Sequence, residues 1–261
     1  MRIKDWAHIL VYLVIGYFIP RISLFFLVCG VFDFSRSDRF ELTDWKRYFL
    51  GNGILTWLLS PFNIFLDLMS HSNRGIFKLS ELPSECQNEV NQIIEVAKNK
   101  PEIITEIGAM MQDRRRGMMF FKWYGKNIEN SLNIQEFHNK FKYIRTIGIS
   151  VFNKHQSTSI HYGPMRVTYR VLYNLTPAKD KSVYIKVGGR THFWRDDPLF
   201  IFDDTLVHRS VNESDQARYC MFIDILRPSK FMSVLDVILT LVRYITVSYN
   251  KIFYKNWDML K

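Results

Sequence analysis

Hydrophobic positions along this chain fall into three regimes. From Ile9 to Phe32 they are almost continuous, interrupted only around Pro20 and Arg21. A second apolar segment, Phe49 to Met69, carries Gly51, Gly53, Pro61 and Asp67. Each is close to the ~20 residues that cross a bilayer, so the pair reads as a membrane hairpin or as amphipathic helices lying in the interface. A signal peptide is the weaker reading, because no small-x-small cleavage site precedes a soluble start. From His71 the pattern becomes globular. Val90, Ile93, Ile94 and Ala97 recur at helical spacing and predict a helix over Cys86 to Lys98. Beyond Tyr124 the period shifts to two, predicting strands near Arg145 to Phe152, Met165 to Leu175, Val183 to Val187, Leu199 to Phe202 and Tyr219 to Leu226. Short strands without helices between them imply a sandwich or barrel. In the tail, Val234, Leu235, Ile238, Leu241, Val242 and Ile245 predict a helix with one apolar face. Arg243, Lys251, Lys255 and several Tyr favour an interfacial position for it. The expected organisation is a membrane-anchoring region over 1–70, a mainly β domain over 71–230 and an amphipathic C-terminal helix over 231–261.

Composition narrows this picture. A length of 261 residues suffices for one substantial core plus appended elements, but not for two large domains. With 48% hydrophobic and 23% charged residues, long disorder is excluded. The net charge of +10 is scattered, with its densest cluster at Arg114, Arg115 and Arg116. Beside apolar ends it points to anionic lipid headgroups and a bilayer, and away from nucleic acid. Cys29, Cys86 and Cys220 are odd in number and far apart. They form neither a disulfide framework nor a zinc motif, so a reducing, cytosolic setting is the default for the globular part.

Two histidines carry the candidate chemistry. His161 follows a β run and opens His161-Tyr162-Gly163-Pro164, and His208 follows Phe202-Asp203-Asp204-Thr205, 47 residues later. Arg170 lies nine residues beyond His161, and Arg218 ten beyond His208. Paired imidazoles suit non-haem iron(II), and an Arg can grip a carboxylate through two parallel hydrogen bonds. The other histidines have plainer readings, with His155 and His192 in exposed polar loops. Trp194 is a packing anchor, and Asn212 caps the turn after His208.

The stretch Val187-Gly188-Gly189, Trp194-Arg195-Asp196, Phe202-Asp203-Asp204-Thr205, His208, Asn212 to Arg218, Asp224 and Arg227-Pro228 resembles the aspartyl/asparaginyl β-hydroxylase superfamily, and within it the bacterial lipid A 2-hydroxylases. The likeness covers roughly Met118 to Pro228 and includes Phe121-Lys122-Trp123-Tyr124 and the apolar N-terminus. It implies a mainly β fold, a double-stranded β-helix or jelly-roll, with flanking helices and N-terminal membrane-associated segments. It further implies an iron(II)- and 2-oxoglutarate-dependent dioxygenase, with dioxygen as the second cosubstrate.

Under that resemblance His161 and His208 are the iron ligands, and Arg218 binds the far carboxylate of 2-oxoglutarate. Arg170 assists at the cosubstrate or the substrate, and Ser159 is placed to reach the cosubstrate carboxylate. Gly163 stands where many related oxygenases have a third, carboxylate ligand, as it does in this family, and water fills that position. Asp203 and Asp204 are alternative ligands, with a turn-forming role expected for both. The chain departs from the family at Leu172, where a second cosubstrate-contacting His is usual, and Tyr173 is the nearby substitute. The implied reaction is hydroxylation of an acyl chain of lipid A or a similar membrane lipid. The implied setting is the bacterial inner membrane, with the catalytic domain facing the cytoplasm. Two rivals remain open: hydroxylation of an aspartyl or asparaginyl side chain or of an ornithine lipid, and a non-catalytic jelly-roll binding module.

Overall fold

The computed structural model describes residues 3–51, 55–70, 74–247 and 256–261. His71, where the sequence turns globular, and Gly53, Lys251 and Lys255 lie outside the described residues. The N-terminal region is helical. Helix α1 (Ile3–Phe18) passes into α2 (Pro20–Ser35) through Ile19. Proline has no N–H and a fixed φ, which suits the first turn of a helix and breaks an interior, so the first apolar run divides here. After α3 (Leu42–Lys46), a π-turn spans Arg47–Gly51, and α4 (Leu55–Leu58) and α5 (Ser60–Leu68) follow. Among the described residues no helix is long and apolar enough to cross a membrane. The outer faces of α1 and α2 are nonetheless strongly apolar, with Leu10, Leu13, Tyr17, Phe18, Leu24 and Phe32 exposed.

Two sheets form the body. The larger has the order β1 (Ile76–Phe77), β9 (Leu199–Phe202), β6 (Thr168–Asn174), β11 (Arg218–Leu226), β4 (Ile144–Phe152), β2 (Arg116–Trp123) and β12 (Asp258–Met259), with β3 (Lys126–Asn127) paired to β2. The smaller has the order β5 (Gln156–Ser157), β10 (His208–Asn212), β7 (Val183–Val187) and β8 (Arg190–Phe193). All pairings are antiparallel except β12 with β2. Two facing antiparallel sheets with crossed connections make the expected jelly-roll.

Strand alternation divides the large sheet between two cores. Along β11, Tyr219, Met221, Ile223 and Ile225 join the outer core. There they meet α6 (Ser84–Lys98), which contributes Cys86, Val90, Ile93, Ile94 and Ala97, and α7 (Glu102–Met111). Burying each Val or Ile stabilises by roughly 1.5–3 kcal/mol relative to exposure. The opposite face, with Cys220 and Phe222, closes on Val183, Ile185 and Val187 of the small sheet.

The tail differs from expectation. Helix α8 (Met232–Val247) buries Leu235 and Leu239 against Leu66, Val167 and Leu226. Val234, Leu241 and Ile245, grouped with Leu235 by periodicity, face outward. The helix is therefore apolar on two sides. Beyond it the chain returns as β12 to the edge of the large sheet, so 231–261 is more than a helix.

The helical region is tied to the jelly-roll by buried charge. Arg166, fully buried, pairs with Asp33 at the end of α2, with Asp67 of α5 at 2.7 Å and with Asp203 at 3.3 Å. Arg36 reaches Asp203 at 3.1 Å, Arg227 reaches Asp67 at 2.7 Å, and the Tyr48 hydroxyl donates to Asp33 at 2.7 Å. Asn63 of α5 donates to the Pro164 carbonyl and accepts from the Arg166 N–H. Both segments that carry the candidate histidines, 161–166 and 203–208, thus lie against the N-terminal helices.

Candidate active site

The structure brings His161 and His208 together. His161 forms an isolated antiparallel bridge opposite His208, the first residue of β10, and each backbone N–H donates to the other's carbonyl, at 3.1 and 2.9 Å. The ring centroids are 4.1 Å apart. Each Nδ1 is engaged by a carbonyl two residues earlier, His161 with Ser159 O at 2.7 Å and His208 with Leu206 O at 2.9 Å. A carbonyl can only accept, so Nδ1 carries the proton in both rings and Nε2 keeps its lone pair. Burial lowers the His161 pKa to about 4 and takes His208 well below the usual histidine range, with the neighbouring imidazole adding to the effect at His208. Both rings are neutral at pH 7, the form in which imidazole binds a metal.

The third position is unusual. A side chain at Gly163 would put its Cβ 2.6 Å from the Asp204 carboxylate, which fills the space beside the first histidine. Burial raises the Asp204 pKa to about 7, against the pull of Arg170. No group of three or more His, Cys, Asp or Glu side chains among the described residues is placed to hold a metal ion. The donor set that fits iron(II) is therefore the two Nε2 atoms, with open positions left for other ligands.

Arg218, at the start of β11, lies on the inner face of the barrel and is 3% exposed. Its guanidinium stacks between Phe152 at 4.8 Å and Trp194 at 5.1 Å. Among the described residues no carboxylate pairs with it, and Nε and Nη1 have no hydrogen-bond partner. Burial lowers its pKa. An unpaired buried cation is costly and calls for an anion. Arg218 also lines a cavity of about 290 Å³ with Thr176, Lys179, Gln216 and the acids Asp180, Glu213 and Asp215, and neither histidine lines it. Asn212 builds this end, donating to Phe152 O, Asn153 O and Gln216 O.

The remaining predicted residues are distributed differently. Arg170 is held by Asp224 through Nε and Nη2, both at 3.0 Å, and by Asp204 at 3.1 Å. Its charge is met within the protein. Ser159 is exposed and on the outer side of His161, where its carbonyl orients that ring. The site does not bring it to Arg218. Leu172 points into the inner core, whereas Tyr173 packs against the outer one. Alternation along β6 therefore removes Tyr173 as a substitute for the family's second histidine. Asp203 accepts from the Thr205 N–H and hydroxyl, as a turn former would, and additionally from Arg166 and Arg36. Asp224 belongs to the sequence motif and Phe152 ends a predicted strand, but the pairing of Arg170 with Asp224 and the packing of Phe152 on Arg218 were not legible, because they join different strands.

A jelly-roll with two inward imidazoles and a buried guanidinium without a carboxylate partner defines a class of protein. The family model described as aspartyl/asparaginyl beta-hydroxylase matches residues 84–228, and the chain belongs to that family of hydroxylases. A curated relative, the ornithine lipid ester-linked acyl 2-hydroxylase of Rhizobium tropici, is 25% identical over 134 residues, 49% of this chain and 48% of that protein. The chain thus spans about half the length of the curated relative it matches. Among solved structures, a 2OG-Fe(II) oxygenase family oxidoreductase from Burkholderia pseudomallei aligns at 13% identity and a TM-score of 0.29, covering 49% of this chain and 80% of that one. A cupin domain from Bordetella pertussis Tohama I aligns at 14% identity and a TM-score of 0.26, covering 38% and 98%.

Proposed function

We propose that this protein is an iron(II)- and 2-oxoglutarate-dependent hydroxylase acting on an acyl chain of lipid A or a similar membrane lipid. The observation that carries this reading is the pairing, in one barrel, of two imidazoles with free Nε2 atoms and a buried cation lacking an acid partner. His161 and His208 hold the metal through Nε2, and the Ser159 and Leu206 carbonyls keep the protons on Nδ1. Arg218 binds the far carboxylate of 2-oxoglutarate, and Phe152 and Trp194 hold its guanidinium flat and dry. Bound iron, with 2-oxoglutarate and dioxygen, supplies insertion of one oxygen atom into a C–H bond with release of succinate and carbon dioxide. Asp204, packed against Gly163, would accept hydrogen bonds from water beside the metal when ionised. Arg170 holds Asp204 in place. Leu172 makes this part of the cosubstrate pocket apolar.

The lipid substrate is supported by the exposed apolar faces of α1, α2 and α8, the basic balance and the acyl 2-hydroxylase relative. These helices attach the protein to the inner membrane by lying in its surface, with the jelly-roll on the cytoplasmic side, where iron(II) and 2-oxoglutarate are supplied. The test is mass spectrometry of lipid A from a lipid-A-producing host expressing the protein or its His161→Ala form. One added oxygen with the unmodified protein alone is expected. No added oxygen, with the protein present in the membrane, sinks the lipid A assignment. Recovery of a hydroxylated ornithine lipid or aspartyl residue instead would redirect it.

A further inference from the structure

Trp194 is buried in the inner core at 2% exposure, and its indole N–H has no hydrogen-bond partner among the described residues. Its backbone N–H donates to Val183 O at 3.2 Å, which sets the ring at one end of β7. His208 pairs with Val187 at the other end of the same strand. The Arg218 guanidinium lies over the Trp194 ring at 5.1 Å, with the Cys220 thiol as a polar neighbour and Nε and Nη1 without partners. An indole N–H and a guanidinium can donate and cannot accept. Buried donors that find no acceptor each cost the free energy of leaving water. Packing does not call for this nitrogen, because an all-carbon ring would fill the apolar core and support the guanidinium without that cost. The interior that holds these donors also reaches the metal position. Trp194, Phe200, Phe202 and Cys220 belong to one core cluster, and the Phe202 ring is 5.3 Å from the His208 ring.

We infer that Trp194 is a further cosubstrate-binding residue, whose indole N–H donates to the same distal carboxylate that Arg218 pairs with. The inference rests on the 2-oxoglutarate reading above and adds a second recognition element to it. Val183 to Val187 spans four strand steps, roughly 13 Å, so an anion held at Trp194 and Arg218 is the remote end of a ligand whose other end reaches the metal. Two oxygens of one carboxylate can take donors from both side chains, each with a free lone pair left for the other. The stacked pair thereby meets the carboxylate from two directions, whereas a guanidinium alone grips it along one edge. Trp194 then has two roles in one side chain: its face supports Arg218, and its edge binds the cosubstrate.

The test uses the full-length protein loaded with zinc(II), which holds the metal position without turnover. Calorimetry of 2-oxoglutarate binding is run on the wild type, Trp194→Phe, Arg218→Leu and the double variant. Trp194→Phe keeps an aromatic face under the guanidinium and removes the N–H. It should weaken 2-oxoglutarate binding on the order of tenfold. In the Arg218→Leu background the same substitution should cost much less, because both donors serve one carboxylate. The Trp194 indole N–H resonance, assigned by its loss in Trp194→Phe, should move downfield when 2-oxoglutarate is added to the wild type. Ligand-free Trp194→Phe should unfold at no lower denaturant concentration than the wild type, since the donor it removes has no partner. A role in packing alone would leave the affinity and the indole resonance unmoved, and that result overturns the inference. Equal losses in both backgrounds, or a clear fall in ligand-free stability, would place the N–H elsewhere and also overturn it. If the wild type binds no 2-oxoglutarate, the cosubstrate reading fails and this inference with it. If the wild type and Trp194→Phe bind it equally, the Trp194 assignment alone fails.

Discussion

The junction under the N-terminal helices and the inner end of the barrel each bury a guanidinium, and they treat it in opposite ways. Arg166 is surrounded by Asp33, Asp67 and Asp203, so its charge is neutralised by the fold itself. Arg218 is equally buried, but its neighbours are the faces of Phe152 and Trp194 and the Cys220 thiol, with no carboxylate. A cation serving architecture arrives with its counter-ions, whereas a cation serving a ligand is left to find one.

The largest effect should come from breaking the paired member. Arg166→Met leaves the buried Asp33 and Asp203 and the half-buried Asp67 without their shared cation and should cost about 3–5 kcal/mol, read by chemical denaturation. A cost under about 1 kcal/mol would mean the network is solvated and does not hold the two regions together. The unpaired member should respond with the opposite sign. Arg218→Leu should leave the ligand-free protein as stable as the wild type or more so, while weakening 2-oxoglutarate binding on the order of 10- to 100-fold by calorimetry. Unchanged binding would remove Arg218 from the cosubstrate site.

The smallest effect concerns acid. Burial pushes the Asp203 carboxyl up, but Arg166 and Arg36 outweigh it and hold the pKa at about 2. A carboxylate whose folded pKa lies below its unfolded value stabilises the fold above pH ~4 and loses that contribution as the pH falls toward 2. That contribution is roughly 2 kcal/mol. The acid limb of the stability curve should therefore be shallower in Arg166→Met than in the wild type. Parallel limbs would show that Arg166 does not hold Asp203 ionised.

The same contrast explains what the sequence made legible. Half-buried strands announce themselves by alternation, as β7 does, and β9 falls at its expected residues although it is buried on both faces. The strand β2 was missed because Met118 to Trp123 is buried on both faces, so Met-Met-Phe-Phe shows no alternation. The polar strand β10, with His208 and Asn212, is buried by its neighbours and not by its own hydrophobicity. The histidines and Arg218 were legible through the family pattern. The Arg166 network was not, because Asp33 and Asp67 lie 133 and 99 residues away, within or beside apolar runs that read as membrane segments. Those two acids are counter-ions of an arginine in the β domain. The N-terminal region is thus a structural partner of the site as well as a surface with exposed apolar side chains.

The backbone ladder between His161 and His208 has a consequence for how such a site can change over time. The two rings face one another because two reciprocal main-chain hydrogen bonds bridge His161 to the first residue of β10, and those bonds do not depend on side-chain identity. The chain between them can therefore lengthen or shorten at its turns, reshaping what enters the barrel, while the bite of the two imidazoles is inherited unchanged. A single-residue slip in either strand would instead turn one ring to the opposite face and end the pairing at a stroke.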